Sequence, residues 1–548
     1  MNSVRIIFQL MRADLRQRVR SDSFLIVMAL SVLAGYLLVP PYEAPYTSFV
    51  IGSHRGTYSS PWVGTIFGVV ACTWLALFGF YLVKNTVERD NRTRVGQIIA
   101  STPARKPSYT LGKWLSNLAV LSLILALLTL MAPIMQYVRA EDTHIDLGAL
   151  AAPIWLMGFP ALALVSALAV LFECIPLLRG GLGNVVYFFI WGPVLVGGSI
   201  GLASLYEPGS TPRNDFAGLS RSLIDIQTEL DAGGYDASHG VTGVVAPTMG
   251  YEVTRFTWGG IAWTADIWLE RAMWFGGAAL MALAATVPFD RFDPARRGPS
   301  LWRKRGRRHV VGRSPAQTGQ GQVLPQAMKP QGQDWARAQF EALSPTFGLR
   351  GFISVFTAEL RLMFKGLHWA WYLIAAGLIV ACLLSPLSIV RTYLLPIAWV
   401  WPLLIWSQMG SREHLAGVWQ MVFTAPQPTQ RQLPAMWLAG IFVAAITGSG
   451  AAVKFAALGA WMSLSAWAAG VLFIPALALM LGVWTNSRRM FEMVYLLWWY
   501  MAFNGIAALD FMGTTQGTLD RGNPWLFLGL APVLFLLSLV GRQRHYQS

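Results

Sequence analysis

Windows of about 20 mostly apolar residues recur along the chain, and this recurrence limits the fold more than any other feature. A helix needs about 20 residues to cross roughly 30 Å of hydrocarbon, and a span in lipid must pair its own backbone groups. Charged residues make up only 13% of 548 residues, too few to cover a water-soluble surface of that size. The sequence predicts an all-α polytopic membrane protein with about twelve transmembrane helices. The windows lie near residues 23–39, 62–84, 114–137, 150–173, 183–204, 268–288, 369–389, 393–409, 435–457, 460–485, 490–508 and 525–541.

The basic residues that give a formal charge of +15 are concentrated in alternate loops. This distribution follows the positive-inside rule and predicts that both termini are cytoplasmic. It also argues against nucleic acid as a partner, because the basic residues are accounted for as topology determinants. The basic segments are residues 5–20, 89–113, 291–313, 488–489 and 542–544.

One charged loop pattern occurs twice. "RDNRTRVGQIIASTPARKPSYTLGKW" runs over 89–114 and "REHLAGVWQMVFTAPQPTQRQLPAMW" over 412–437. Aligned without a gap, they match Arg89 with Arg412, Asp90 with the acidic Glu413, and Trp114 with Trp437. Agreement at a constant offset indicates an internal repeat.

The repeat divides the chain into two six-span units. They cover 1–292 and 346–548, and a basic linker rich in Gly, Gln and Pro, 293–345, joins them. An even number of spans per unit predicts two parallel repeats related by an axis along the membrane normal. Each unit begins with a predicted amphipathic helix in the membrane interface, over 4–20 and 350–366.

The outer loop 205–267 is acidic and too long for a simple turn. Leu219, Leu223, Ile226 and Leu230 recur at helical spacing before two glycines. This pattern predicts a short amphipathic helix in a small cap on the outer face.

The chain lacks the sequence signatures of a membrane enzyme. It contains no H-E-x-x-H motif and no complete phosphate-binding loop, so we expect no bound metal and no ATP hydrolysis by the chain itself. Glu173 and Lys454 are the candidates for ionisable groups within the spans. Both lie close to a predicted span end, which favours a structural or snorkelling role over ion coupling.

The repeated loop is suited to docking a partner. In the first copy Val95, Ile98 and Ile99 form an apolar helical patch after a charged start, and Val418, Met421 and Val422 do so in the second. A solvated loop predicts neither the patch nor its repetition. Recognition of a helix in a groove requires such apolar anchors.

The first copy of the loop, "ERDNRTRVGQIIASTPARKPSYTLGKW", contains this charged start and apolar patch. It resembles the coupling segment of ABC-2 type permeases, the membrane subunits of ATP-binding cassette exporters. "FDRFDPARR", at 289–297, resembles the end of many such permease units. The resemblance implies two fused units in the bacterial inner membrane that export a hydrophobic or amphipathic substrate. It also implies two copies of a separately encoded ATPase, which would bind ATP and Mg, and a membrane-lipid environment.

The resemblance transfers the ATPase-coupling role to matching positions in both copies of the loop. The second copy departs from the family pattern at Gly417, Val418 and Trp419 and in its proline-rich end. The transferred positions are Glu88, Arg89, Asp90, Thr93, Ile98, Ser101, Thr102, Pro103, Arg412, Glu413, Gln420, Thr424 and Pro426.

Two other functions are compatible with a twelve-span chain. An ion-coupled secondary transporter also has a basic central loop, but it would need buried charges at mid-membrane. A membrane factor for the maturation of exported proteins would use the outer loop 205–267 to bind its client.

Overall fold

The computed structural model describes residues 3–20, 22–41, 44, 46–51, 54–198, 215–234, 241–247, 253–292, 349–419, 428–503, 506–514 and 516–547. The chain divides into two compact units, Met1–Arg296 and Arg297–Ser548. The predicted linker 293–345 lies outside the described residues. The division into units 1–292 and 346–548 with the linker 293–345 therefore stays a prediction.

Several helices are long and apolar enough to cross a membrane. Five qualify singly: Ser60–Arg92, Lys106–Arg139, Leu147–Cys174, Trp461–Thr485 and Asn523–Arg544. Two bent pairs qualify when each pair is taken as one span, so the described residues contain five to seven candidates: Gly351–Phe364 with Trp369–Leu384, and Gln430–Thr447 with Ser449–Ala457. The helical, multi-pass character agrees with the sequence. Twelve spans stay a prediction, because the windows near 23–39 and 393–409 contain shorter apolar helices, Val27–Leu38 and Leu387–Val400.

The first unit contains eleven described α-helices. Its long apolar stretch from Ser60 continues through a π-helical turn, Ala71–Leu75, and the helix at Gly181 continues into a second π-turn, Ile190–Val196. The helices are α1 (Ser3–Val19), α2 (Asp22–Leu38), α3 (Ser60–Val70), α4 (Ala76–Val83), α5 (Thr86–Arg92), α6 (Val95–Ser101), α7 (Lys106–Arg139), α8 (Leu147–Cys174), α9 (Gly181–Phe189), α10 (Leu219–Ala232) and α11 (Ala265–Ala284).

Helix α1 matches the amphipathic helix predicted over 4–20. It packs on α7, where Gly112 lies close to Leu10 and a Cβ at that glycine would stand 3.1 Å from the Leu10 Cβ atom. Val4 and Phe8 are 76% and 55% exposed, so the apolar face points away from the unit. An outward apolar face flanked by arginines is typical of a helix in a membrane interface.

A small β-sheet, which the sequence did not predict, joins two loops of the first unit. Its strands are β1 (Tyr46–Ile51), β2 (His54–Gly56), β3 (Val241–Pro247) and β4 (Thr254–Phe256), in the order β3-β1-β2-β4. Strand β1 is antiparallel to β2 and to β3, and β2 is parallel to β4. The loop after α2 and the loop 205–267 thus form one structure.

Helix α10 confirms the amphipathic helix predicted within the loop 205–267. Leu219, Leu223, Ile226 and Leu230 are all buried, as their spacing requires. Asp215 precedes the helix, and its carboxylate accepts the backbone N–H groups of Gly218 and Arg221. Such a side chain satisfies donors that the first turn leaves free.

The second unit is also helical. Its first two helices meet at a bend of 100°, which agrees with an interfacial helix followed by a span. A π-turn, Val390–Leu394, continues into α15. The described α-helices are α12 (Leu349–Phe364), α13 (Trp369–Leu384), α14 (Leu387–Ile389), α15 (Leu395–Val400), α16 (Leu403–Trp406), α17 (Arg412–Ala416), α18 (Pro428–Thr447), α19 (Ser449–Ala457), α20 (Trp461–Thr485), α21 (Arg488–Phe503), α22 (Gln516–Asp520) and α23 (Asn523–Gln547).

Gly482 of α20 allows the chain before α17 to pack closely on that helix. A Cβ at this position would stand 1.9 Å from the backbone oxygen of Met409. Gly482→Ala is therefore expected to lower the free energy of unfolding by about 1–3 kcal/mol, because backbone must move to admit the methyl group. Denaturation in detergent measures the loss. Gly377→Ala is the matched control, since a Cβ there meets no atom within 4 Å; equal stability of the two variants would contradict this account.

Candidate docking segment and its buried supports

The first loop segment, residues 85–105, contains two short helices separated by two residues. Helix α5 ends at Arg92 and α6 begins at Val95, and Arg94 between them has a left-handed backbone conformation with φ 61°. On α6, Ile98 is 67% exposed and Val95 is 41% exposed. The segment therefore presents apolar side chains on a helix that lies beyond the apolar stretch ending at Val83.

Glu173, near the end of α8, holds the beginning of the first loop segment. One carboxylate oxygen accepts the backbone N–H groups of Asn85 and Thr86 at 2.6 and 3.0 Å. The other accepts those of Val87 and Glu88 at 2.6 and 3.2 Å. The free N–H groups of a first helical turn attract a carboxylate both by hydrogen bonding and through the helix dipole. Glu173 is buried and thus acts as the cap of α5.

Asp14 of α1 is the centre of a buried ion cluster beside the same segment. Its carboxylate contacts Arg18 at 3.0 Å, Lys113 of α7 at 3.0 Å, and Arg89 of α5. The Ser116 hydroxyl donates a hydrogen bond of 2.6 Å to it. Burial alone would raise the pKa of Asp14, but the three cations and this hydroxyl hold it well below its usual range. We call Asp14, Arg18, Arg89, Asp90 and Lys113 the first ion cluster.

Asp90 links the cluster to the chain beyond α11. Its carboxylate lies 2.8 Å from the Lys113 ammonium and accepts a hydrogen bond of 2.7 Å from the Tyr109 hydroxyl. The Tyr109 ring stacks on Phe289, with ring centroids 4.9 Å apart. Phe292 covers Gly96 of α6, where a Cβ would stand 2.6 Å from the ring. The first loop segment therefore rests on α1, α7, α8 and the stretch 289–292.

The second loop segment, residues 408–427, begins with a similar arrangement. Arg412 of α17 contacts Glu359 of α12 at 3.1 Å. Glu413 contacts Arg542 of α23 at 2.9 Å and accepts a hydrogen bond from Gln432 of α18. Gln432 also donates to Glu359 at 3.3 Å. We call Glu359, Arg412, Glu413, Gln432 and Arg542 the second ion cluster.

The two clusters agree in part with the alignment of the two loops. Arg89 and Arg412 each contact a carboxylate of the amphipathic helix that opens their unit. Asp90 and Glu413 each accept a hydrogen bond from the first part of the following long helix, from Tyr109 and Gln432. A residue with a left-handed backbone precedes each charged pair, although not at the aligned position: Asn85, with φ 81°, lies four residues before Arg89, and Gly410, with φ 72°, lies two residues before Arg412.

The residues predicted to couple to a partner differ in their exposure. Thr93, Ile98, Ser101, Thr102 and Pro103 are exposed, whereas Glu88 and Arg89 are partly buried and Asp90 is buried. Arg412 and Glu413 point into the second ion cluster. Gln420, Thr424 and Pro426 lie outside the described residues. Among the described positions, the five exposed ones, which lie on α6 or next to it in the chain, are the ones that a partner can reach.

Sequence reasoning missed the partners of these charges. It counted Lys113 and Arg542 only among the basic topology segments, and it gave Asp14 and Gln432 no role in a contact. One signal in the sequence pointed to the two carboxylates: Glu359-Leu360-Arg361 has the same pattern as Asp14-Leu15-Arg16. Within the described residues, no group of three or more His, Cys, Asp or Glu side chains is placed to hold a metal ion.

Comparison of the chain with protein-family models and with curated proteins finds no match. The geometry of the loop segments and of their supports therefore carries the functional argument alone.

Proposed function

We propose that this chain is the permease of an ABC exporter of the ABC-2 type and moves a hydrophobic or amphipathic substrate across the bacterial inner membrane. The observation that carries the proposal is the exposed apolar surface of α6 on a segment whose base is anchored in a buried ion cluster. A flexible surface loop does not need such anchoring. A segment that transmits movement from a partner to several helices does need it.

The partner is an ATPase present in two copies, one for each loop segment, and it binds the ATP and Mg. The chain itself is not an enzyme in this proposal. Docking of α6 in a cleft of the ATPase would link closure of the ATPase dimer to α1, α7 and α8 through Asp14, Lys113 and Glu173. ATP shifts the balance between the open and closed states of the ATPase dimer only by the difference in its affinity for them. Rigid supports would transmit the resulting movement to the helices of the chain.

The finer organisation in this proposal is twelve spans in two parallel units with cytoplasmic termini. The similarity of the two ion clusters supports the internal repeat. The Asp90–Tyr109 contact recurs as Glu413–Gln432 at the offset of the two loops. The Arg89–Asp14 contact recurs as Arg412–Glu359, with a larger offset for the opening helix. The second loop segment would dock the second ATPase copy. Of the apolar patch predicted there, Val418 lies within the described residues and is 39% exposed.

An ion-coupled transporter receives less support from the described residues. Glu173 has its carboxylate occupied by four backbone N–H groups. The Lys454 ammonium donates to the backbone oxygen of Leu383. Neither candidate is a free ionisable group at mid-membrane, as ion coupling would require.

Ile98→Asp is expected to weaken binding of the ATPase by at least about 30-fold. A charge at the most exposed apolar side chain of α6 would need to be desolvated in the cleft, and loss of one central anchor costs about 2 kcal/mol or more. The measurement is co-purification of the tagged chain with its ATPase from the native membrane, followed by titration of the purified partner. Absence of any ATP-binding subunit with the unaltered chain would overturn the proposal.

Leu177→Asp is the matched control for this experiment. Leu177 is 72% exposed, close in sequence to Glu173, and outside the first loop segment. The same charge there should leave ATPase binding within about twofold of the unaltered chain. Equal losses in the two variants would mean that α6 is not the docking surface.

A further inference from the structure

One hydrogen bond joins the long helix after the loop to the next long helix in each unit. In the first unit the Trp114 indole of α7 donates to the backbone oxygen of Ala163 on α8 at 2.9 Å. In the second unit the Trp437 indole of α18 donates to the backbone oxygen of Leu472 on α20 at 3.3 Å. Trp114 and Trp437 are aligned in the two loops, so Ala163 and Leu472 mark the same level of α8 and α20.

Two more hydrogen bonds recur on the stretch of chain that leads into each loop segment. In each unit a tyrosine and a tryptophan four residues apart donate side-chain hydrogen bonds to two backbone oxygens three residues apart. The pairs are Tyr187 with Ala76 and Trp191 with Thr73, both at 2.8 Å, in the first unit, and Tyr495 with Trp399 at 3.1 Å and Trp499 with Pro396 at 3.0 Å in the second. The acceptors correspond at the offset that aligns Arg89 with Arg412. Positions near the two loop segments can therefore be compared one by one.

Gly482 of α20 corresponds in position to Glu173 of α8. Glu173 lies ten residues after Ala163, and Gly482 lies ten residues after Leu472. Ten residues of α-helix rise about 15 Å. This distance brings both positions close to the end of their helix, beside the start of a loop segment.

The two positions also face matching residues of their loop segments. The Glu173 carboxylate accepts the backbone N–H of Thr86 at 3.0 Å. A Cβ at Gly482 would stand 1.9 Å from the backbone oxygen of Met409. Thr86 and Met409 are aligned at the offset of the two loops. Helix α8 therefore contacts its loop segment through a side chain, whereas α20 contacts its own through backbone.

The backbone amides at the start of the second loop segment explain how a glycine can stand where the first unit has a carboxylate. Gln408 donates to the backbone oxygen of Ile405 at 3.3 Å, and Met409 donates to that of Trp406 at 2.9 Å. The matching amides of the first loop segment donate to Glu173 instead. Buried backbone donors need partners. The first segment obtains them from α8, whereas the second obtains them from the preceding turn of its own chain.

We propose that Gly482 is a positioning residue for the second loop segment, and that its close contact with Met409 transmits movement of the second ATPase copy to α20. This role rests on the exporter function proposed above, in which Glu173 links the first ATPase copy to α8. The two copies thus act through unequal links. The first link is lost when a carboxylate is changed, and the second is lost when a methyl group is added.

Gly482→Ala tests this role against Gly450→Ala as the matched control. Gly450 of α19 is buried like Gly482, and a Cβ there would stand 2.3 Å from the backbone oxygen of Ile379 on α13. The added methyl group therefore forces backbone apart in both variants, but it does so at a loop segment only in Gly482→Ala. The full chain is reconstituted in lipid nanodiscs with its purified ATPase. ATPase binding and the rate of ATP hydrolysis by the complex are then measured.

Gly482→Ala should leave ATPase binding within about threefold of the unaltered chain and lower ATP hydrolysis by the complex about fivefold or more, because docking is retained and transmission is lost. Gly450→Ala should leave both within about twofold, since its site is separate from the loop segment. Equal losses of hydrolysis in the two variants would overturn the proposal, because lower stability would then be the common cause. Lost binding in Gly482→Ala would overturn it too, because the glycine would then act on docking.

Hydrogen exchange of the chain without ATPase separates this role from the exporter function. In Gly482→Ala the amides of Gln408 and Met409 should exchange at least about tenfold faster than in Gly450→Ala, because the start of the segment opens more easily. That difference in a chain that binds no ATPase would refute the exporter and keep Gly482 as a positioning residue. Equal exchange in the two variants would refute the positioning role itself.

The unaltered chain provides the measurement if Gly482→Ala fails to fold. Docking of the ATPase should slow exchange at Met409 and at residues 482–485 of α20 together, by about threefold or more, because the two stretches move as one. Slowing confined to the loop segment would show that α20 receives no movement from it.

Discussion

Asp14→Ala is expected to lower the free energy of unfolding by about 3–5 kcal/mol, the typical cost of removing one partner from a buried ion pair. The substitution leaves Arg18, Arg89 and Lys113 without their shared carboxylate. Arg18 is 10% exposed and cannot turn its charge to water, whereas Lys113 keeps Asp90 at 2.8 Å and Arg89, at 30% exposed, can turn to water. Denaturant titration in detergent, followed by tryptophan fluorescence, measures the loss.

Asp290→Ala is the matched control for Asp14→Ala. Asp290 contacts the single cation Arg179 at 3.2 Å, and the two side chains are 17% and 26% exposed. Its removal should cost only about 1 kcal/mol, as for other partly exposed pairs. A loss as large as that of Asp14→Ala would contradict the role of the buried cluster.

A double-mutant cycle separates the Asp14–Arg89 contact from the rest of the cluster. Arg89→Ala alone should cost less than Asp14→Ala, because Asp14 keeps Arg18, Lys113 and Ser116. Adding Arg89→Ala to Asp14→Ala should cost less than it does alone, with a coupling of about 0.5–3 kcal/mol. Strict additivity of the two losses would show that the contact contributes no coupling energy.

The helices could be predicted from the sequence because their signal is local. Apolar windows and the amphipathic patterns of α1, α10 and α12 are read from residues within a few turns of each other. The bend of 100° after α12 also has a local cause, since Gly366 adopts φ 87° in the connection. The number of spans is harder to predict from the sequence, because windows such as 393–409 consist of short helices and π-turns in the structure.

The outer sheet could not be predicted because its pairing is not local. Val50 of β1 pairs with Gly243 of β3, so the two strands are about 190 residues apart in the chain. Strands of three to seven residues carry little periodic signal of their own, and their stability comes from partners that the sequence does not identify.

The buried supports of the candidate site were hidden for the same reason. In the sequence, Arg89 and Asp90 belong to a charged loop, and a partner protein was the natural explanation of their charges. The structure places beside them Asp14, which lies 75 residues earlier in the chain, and Lys113, which the sequence assigned to the same charged loop as a topology determinant. The exposed apolar patch of α6 was predictable because Val95, Ile98 and Ile99 are neighbours on one short helix.

Glu173→Gln is expected to free the start of the first loop segment. An amide has one acceptor oxygen and two donors, so its NH₂ group would face N–H groups of the set Asn85–Glu88 that the carboxylate now accepts. Each buried N–H left unpaired costs about 1–3 kcal/mol. Hydrogen exchange of these amides should become roughly 100-fold faster, as local opening requires less free energy. Unchanged exchange would exclude the capping role.

The same variant separates docking from transmission in the proposed exporter. The α6 surface is formed by Val95 and Ile98, which Glu173 does not contact, so ATPase binding should remain within about threefold of the unaltered chain. Substrate-stimulated ATPase activity should fall by about tenfold or more, since α5 no longer moves with α8. Ile98→Asp should lose both binding and stimulation. Faster exchange with undiminished stimulation would keep the cap but remove Glu173 from the path of transmission, and loss of binding in Glu173→Gln would show that the cap orients α6 itself.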